Sequence, residues 1–189
     1  SLMDLSVKSN NYYGIFKSYN FRGIYYWMYA EYDSALVNYK KALEYSALTT
    51  EKRNKALVLG NIGLLYSNLF NTDSAVKYLN HAIEFSIAHK INDMVTKARY
   101  DLGTLYLNQA NFIEAVKNLN MVKDSLEINP DKRLSLFLNT MFGNIYYHVE
   151  DLEQSLKFFK KAIKLDLVYE GINILSNNYI SIAKLFIYK

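Results

Sequence analysis

Four glycines stand in a row with equal spacing: Gly23, Gly63, Gly103 and Gly143 recur at one constant interval, and Ala183 continues the series. Three residues after each comes an aromatic: Tyr26, Tyr66, Tyr106, Tyr146 and then Phe186. Twelve residues after each glycine comes a small residue, Ala35, Ala75, Ala115 and Ser155, and seven further on stand Ala42, Ala82, Val122 and Ala162. Columns held in phase over this length mean that the chain repeats one supersecondary unit, which cannot bury its own apolar face and must stack on its neighbours.

Spacing within the unit says what is repeated. Apolar residues recur at steps of three and four, as in Val58, Ile62, Leu65 and Leu69, and again in Ala75, Val76, Leu79, Ala82 and Ile83. That is the stripe of an amphipathic helix, twice per unit. The pattern predicts A helices over 15–29, 52–69, 92–109, 131–149 and 171–188, and B helices over 32–47, 72–88, 112–127 and 152–167. Seven glycines and one proline in 189 residues agree with long helices and short connections. Asn111 with Glu114, and Asp151 with Gln154, fit an N-cap followed three residues later by a reciprocating side chain. Asn129-Pro130 reads as a cap before a proline at the first helical position. Small residues mark close helix crossings, so the glycine column is expected to meet the first alanine column where A crosses B. The second alanine column would let B pack on the next A helix, with the tyrosines filling the wedge beside each glycine.

These columns resemble the tetratricopeptide repeat, most clearly at Leu59, Ile62-Gly63, Tyr66, Ala75, Leu79 and Ala82, and next at Leu102-Gly103, Tyr106, Ala115 and Leu119. The departures are Arg22 in a leucine column, Arg99 and Asn139 in place of a bulky residue, and Lys123 where a buried apolar residue belongs. The resemblance implies an all-α fold, a right-handed superhelical solenoid of antiparallel helical hairpins with about nine helices. Its unit, the stretch from Gly23 to Gly63, is longer than the usual span of about 34 residues, and is similar to repeats in polarity adaptors and bacterial regulators. The expected units are 16–55, 56–95, 96–135, 136–175 and a partial 176–189, with 1–14 the remnant of a preceding unit. A cut at both ends suggests a fragment of a longer protein. The last helix, with Ile180, Ile182, Leu185, Phe186 and Ile187, is apolar on several faces and could pair with another chain.

Several chemistries find no support. No glycine-rich phosphate loop occurs, since the glycines lie inside helices. Cysteine is absent, and His81, His89 and His148 lack the spacing of a metal pair. Neither a catalytic constellation, a cofactor nor a metal site is therefore expected. The longest apolar run, Ile24 to Ala30, is seven residues, against about 20 for a membrane helix. The net charge of +4 is dispersed among carboxylates, which argues against nucleic acid as a partner. Lys77, Lys117 and Lys157 recur on the B helices and read as a solvated face. Cytoplasm and periplasm both remain open.

What remains is binding. If one stripe of each A helix faces B, the opposite stripe lines a groove. That stripe holds Asn20, Ile24, Trp27 and Met28; Leu64, Ser67 and Asn68; Lys97, Tyr100, Thr104 and Asn108; Thr140, Asn144, Tyr147 and His148. Aromatics and amides together suit an extended peptide or a helix. Chaperone-binding members of the family hold a terminal carboxylate with lysine, asparagine and arginine. Here the matching places are Asn20 and Ile24, Gly60 and Leu64, and Lys97 and Asp101, so that set is not kept. The leading expectation is the sensing or scaffold region of a bacterial regulator that binds protein or peptide. A free-standing peptide receptor is the alternative.

Overall fold

The computed structural model describes residues 11–166 and 180–183. Eight complete helices lie among them: α1 Tyr12–Met28, α2 Tyr32–Ser46, α3 Lys52–Asn68, α4 Thr72–Ala88, α5 Asn92–Asn108, α6 Phe112–Ile128, α7 Lys132–His148 and α8 Leu152–Asp166. The odd-numbered helices are the A helices and the even-numbered ones the B helices. The B helices start at Tyr32, Thr72, Phe112 and Leu152, in step with the glycine column. The first helix opens at Tyr12, so residues 12–14 belong to it and not to a preceding unit. Of the expected final A helix, residues 180–183 are helical. Its remainder, and the expected remnant before Asn11, lie outside the described residues.

The turn from A to B is built the same way each time. Ala30, Phe70, Ala110 and Glu150 each adopt a left-handed backbone, with φ between 55° and 61°. The next amide then reaches back to the tyrosine column: Glu31 N–H to Tyr26 O, Asn71 to Tyr66, Asn111 to Tyr106 and Asp151 to Tyr146, at 2.9 to 3.0 Å. This is the Schellman closure, here made without glycine. The residue donating that bond is also the N-cap of the following helix. Asn71 accepts from Ser74 N at 3.1 Å, Asn111 from Glu114 N at 3.3 Å and Asp151 from Gln154 N at 3.1 Å. The expected reciprocal half of the capping box is therefore replaced, because the cap's own N–H is already spent on the preceding helix. Glu114 pairs instead with Lys117.

A second expectation is corrected nearby. Asn129 is the C-cap of α6 and not the N-cap of the next helix; Asp131 takes that role, accepting from Leu134 N at 2.9 Å. Pro130 consequently lies between the helices. Left-handed φ at a side chain with little to pack against is a removable cost. Phe70 is 93% exposed, so Phe70→Gly should raise stability by about 0.5–1 kcal/mol, read as an upward shift of the urea midpoint.

By backbone contacts the chain divides into two compact units, Ser1–Leu105 and Tyr106–Lys189. In the first, α1 pairs with α2, α3 pairs with α4, and α2 packs on α3. In the second, α7 pairs with α8 and α6 packs on α7. The glycines make the hairpins possible, and they serve a large side chain of the B helix as well as the small column that spacing suggests. A Cβ at Gly23 would sit 2.5 Å from the Tyr39 ring, one at Gly63 2.7 Å from Leu79 Cγ, and one at Gly143 2.6 Å from the Phe159 ring. Each of these glycines is thus a socket for a large side chain of its B helix, one turn beyond the alanine column. The alanine column lies beside it: Ser155 Oγ donates to Gly143 O at 2.9 Å.

The tyrosine column packs as expected where helix B supplies a ring. Tyr66 stacks on Tyr78 with centroids 5.5 Å apart, and Tyr146 on Phe158 at 5.4 Å. Between hairpins of the first unit the core is Phe16, Ala35, Tyr39, Ala42, Val58, Ile62 and Leu65. Burial pushes the Tyr39 hydroxyl up to about 12. Lys123 is exposed, so α6 leaves the apolar pattern there without burying a charge.

Candidate functional site

Side chains of the A helices that point away from their B partners form the candidate surface. In the first unit Leu64, Ser67, Lys97, Tyr100 and Thr104 are half-buried, while Trp27 and Asn68 are exposed; Ile24, also half-buried, packs against the core cluster instead of facing the groove. Asn20 differs: it is 6% exposed, and its Oδ1 accepts from Asn61 Nδ2 at 3.1 Å. It belongs to the seam between α1 and α3 more than to an open face. In the second unit Thr140, Asn144 and Tyr147 are half-buried, and Asn108 and His148 are exposed. His148 stacks on Phe112 at 5.6 Å and meets the Tyr147 ring edge-on at 5.7 Å. One end of α7 therefore presents a fixed aromatic cluster.

The threonines of this stripe are turned back on their own helices. Thr104 Oγ1 donates to Tyr100 O at 3.0 Å and Thr140 Oγ1 to Leu136 O at 3.1 Å. A hydroxyl so engaged satisfies the backbone of its own helix.

One charged group stands out in the first unit. Asp101 is 7% exposed, and its Oδ2 accepts from Lys97 Nζ at 2.9 Å. Burial raises the Asp101 carboxyl above its usual range, and Lys97 offsets part of that. The neighbouring Tyr100 hydroxyl is raised too, by burial first and by the Asp101 charge second. Spacing alone lists Asp101 only as part of a clamp that is not kept. In α3 the same column holds Asn61, the residue that bonds across the seam to Asn20.

Lys77, Lys117 and Lys157 are all exposed. Lys117 pairs with Glu114 at 3.2 Å, at the surface. Among the described residues no three His, Asp or Glu converge to hold a metal ion, and no helix is long and apolar enough to cross a membrane.

The tetratricopeptide-repeat family model matches residues 56–86 and 138–169, which span α3 with α4 and α7 with α8. Among curated proteins no sequence match is found. Solved structures share the fold at low identity. Aspartyl phosphate phosphatase F from Bacillus subtilis superposes with a TM-score of 0.82 at 19% identity, over 97% of this chain and 49% of that one. A signal transduction ATPase with numerous domains and a tetratricopeptide-repeat sensor, from Pyrococcus horikoshii, gives 0.80 at 19% identity, over 95% of this chain and 28% of that one. The apo form of RapI gives 0.76 at 13% identity, over 90% and 47%. This chain spans about half the length of the phosphatase and of RapI, and less of the ATPase. Two stretches of this chain thus match the tetratricopeptide repeat, and the helical hairpin that carries them recurs at a single period among the described residues.

Proposed function

We propose that the exposed stripe of the A helices binds a protein or peptide segment, and that the chain is the sensing or interaction region of a larger bacterial regulatory protein. The fold is that of a protein-interaction scaffold. What supports binding at this stripe is its side-chain state. The packed stripes of the A helices are sealed, with Leu59, Ile62, Leu65, Leu102 and Ile145 buried, whereas Trp27, Leu64, Tyr100 and Tyr147 keep apolar surface in water. Rigid aromatics flanked by amides supply anchors at small entropic cost. Two of the similar structures are described in signalling terms, as a phosphatase of aspartyl phosphate and as a signal transduction ATPase with a repeat sensor. That description supports the regulatory reading for this chain.

The test is isothermal titration with peptide pools, followed by single peptides from any pool that binds. For a peptide seated on the first unit Trp27→Ala, and for one seated on the second Tyr147→Ala, should weaken binding at least about tenfold, near 1.4 kcal/mol. Melting temperature should stay unchanged, because both side chains contribute little to the core. Flat titrations across all pools would overturn the reading. So would a large loss of melting temperature with affinity intact, which returns both rings to packing.

A further inference from the structure

One face of α1 breaks with its own columns. In the later A helices three positions of the unit are apolar and buried: Val58, Ile62 and Leu65 in α3, Ala98, Leu102 and Leu105 in α5, and Leu138, Phe142 and Ile145 in α7. The preceding B helix is what packs on α3 and on α7. Val58, Ile62 and Leu65 accordingly share one buried cluster with Tyr39 and Ala42 of α2. In α1 the same three positions hold Ser18, Arg22 and Tyr25, and Tyr25 is 56% exposed.

The exposure is a continuous strip. Phe21, Tyr25 and Tyr29 follow one another at steps of four on one side of the helix, each more than half exposed. The Tyr25 and Tyr29 rings touch, with centroids 4.7 Å apart. Lys17 and Arg22 are exposed along its edges. α1 contains no Asp or Glu, and among the described residues Arg22 has no ion-pair partner. A face meant for water would be polar, as the outer faces of terminal repeats are. Tyr25 and Trp27 are two residues apart and so lie on opposite sides of α1, which separates this strip from the groove stripe.

We propose that this face of α1 docks an acidic amphipathic helix of a partner protein, in the place that α2 takes on α3, with a carboxylate of that helix set against Arg22. Register gives the shape of the occupant, because the same columns receive a helix in α3 and in α7. Charge gives its chemistry. Covering Arg22 without a counter-charge would bury an unpaired cation, so a helix that seals the strip must bring a carboxylate among its apolar residues. Tyrosine and arginine are also the side chains that most often anchor interfaces. A second copy is a poorer fit, since a twofold contact would set Arg22 and Lys17 against like charges with no acid on either helix. Nucleic acid fits less well too: α1 carries two cations, and a strand is held by neutralising many phosphates.

The probe is a synthetic peptide of residues 32–47, the helix that fills this place on α3. It is capped at both ends and held helical by a lactam between Lys40 and Glu44, both exposed in the fold. Three versions are titrated into the ¹⁵N-labelled chain: the parent, Ala42→Glu and Ala42→Lys, since Ala42 belongs to the cluster that joins α2 to α3. The expected result is a saturable shift of the Phe21, Arg22 and Tyr25 amides with the Ala42→Glu peptide, at least about tenfold tighter than with Ala42→Lys. In the Arg22→Glu chain the order of these two peptides should reverse. Tyr25→Ala should weaken the Ala42→Glu peptide several-fold with Tm unchanged, because the ring is mostly in water. Flat titrations with all three peptides, equal affinity for the two charged versions, or an order that survives Arg22→Glu would each overturn the proposal. So would a concentration-dependent dimer that Tyr25→Ala abolishes, which gives the face to a second copy. Tighter binding of oligouridylate than of any peptide at the same amides would overturn it in favour of nucleic acid. None of these results touches the Trp27 and Tyr147 test, so the two readings fall separately.

Discussion

Phe159→Ala should remove about 3–5 kcal/mol of stability. Phe159 is 1% exposed, and its ring lies where the Gly143 side chain would be, with Cε1 and Cδ1 at 2.6 and 2.7 Å from that ideal Cβ. The cavity cannot collapse easily. One wall is helix backbone, and Ser155 Oγ bonds Gly143 O at 2.9 Å beside it. Phe159→Leu should be much milder, because Leu79 fills the corresponding socket at Gly63. The socket makes a sharper claim than the truncation. Gly143→Ala alone should destabilise, since overpacking of about 1–3 kcal/mol exceeds or matches the helix-propensity gain of about 1 kcal/mol. In the Phe159→Ala background the added methyl enters the void, and only the gain remains. Urea unfolding of the four proteins gives the coupling, which should be at least about 1 kcal/mol. Additivity within about 0.5 kcal/mol would mean that ring and glycine do not share the space.

The contrast with spacing is instructive. Helix positions and their period were legible because they depend on local rules, namely the apolar stripe and the capping residues at Asn71, Asn111 and Asp151. The complete helices begin and end close to the expected bounds for the same reason. Which residue fills a glycine was not legible, because small-on-small and large-into-socket leave the same column of glycines. Only the crossing geometry separates Ala35 from Tyr39 as the neighbour of Gly23. The reciprocal capping bond at Glu114 also failed to follow from spacing, since the competing Schellman bond to Tyr106 depends on the left-handed turn at Ala110. The candidate stripe was legible as a face, because register alone puts Leu64 and Tyr147 opposite the B side. The Asn20 to Asn61 bond was not, as it joins side chains on different hairpins. That bond turns Asn20 from a groove residue into a seam residue.

Ile62→Ala should cost about 2–5 kcal/mol, yet its effect should differ in kind from that of Phe159→Ala. Ile62 is fully buried in a cluster drawn from three helices: Phe16 of α1, Ala35, Tyr39 and Ala42 of α2, and Val58 and Leu65 of α3. It therefore joins one hairpin to the next, whereas Phe159 closes a hairpin on itself. In repeat proteins stability is close to a sum of unit terms and nearest-neighbour terms. Truncating Ile62 lowers the neighbour term, so the first hairpin should detach before the rest unfolds. The column itself argues this way: the position is apolar and buried at Ile62, Leu102 and Phe142, and it is the exposed Arg22 in α1. Hydrogen exchange under native conditions reads the difference directly. In Ile62→Ala the amides of α1 and α2 should lose protection well before those of α3 and α4, by up to about 10²-fold for the lower part of the expected cost. A uniform loss across all four helices would instead show that the two hairpins open as one block, and that Ile62 serves a shared core more than a joint.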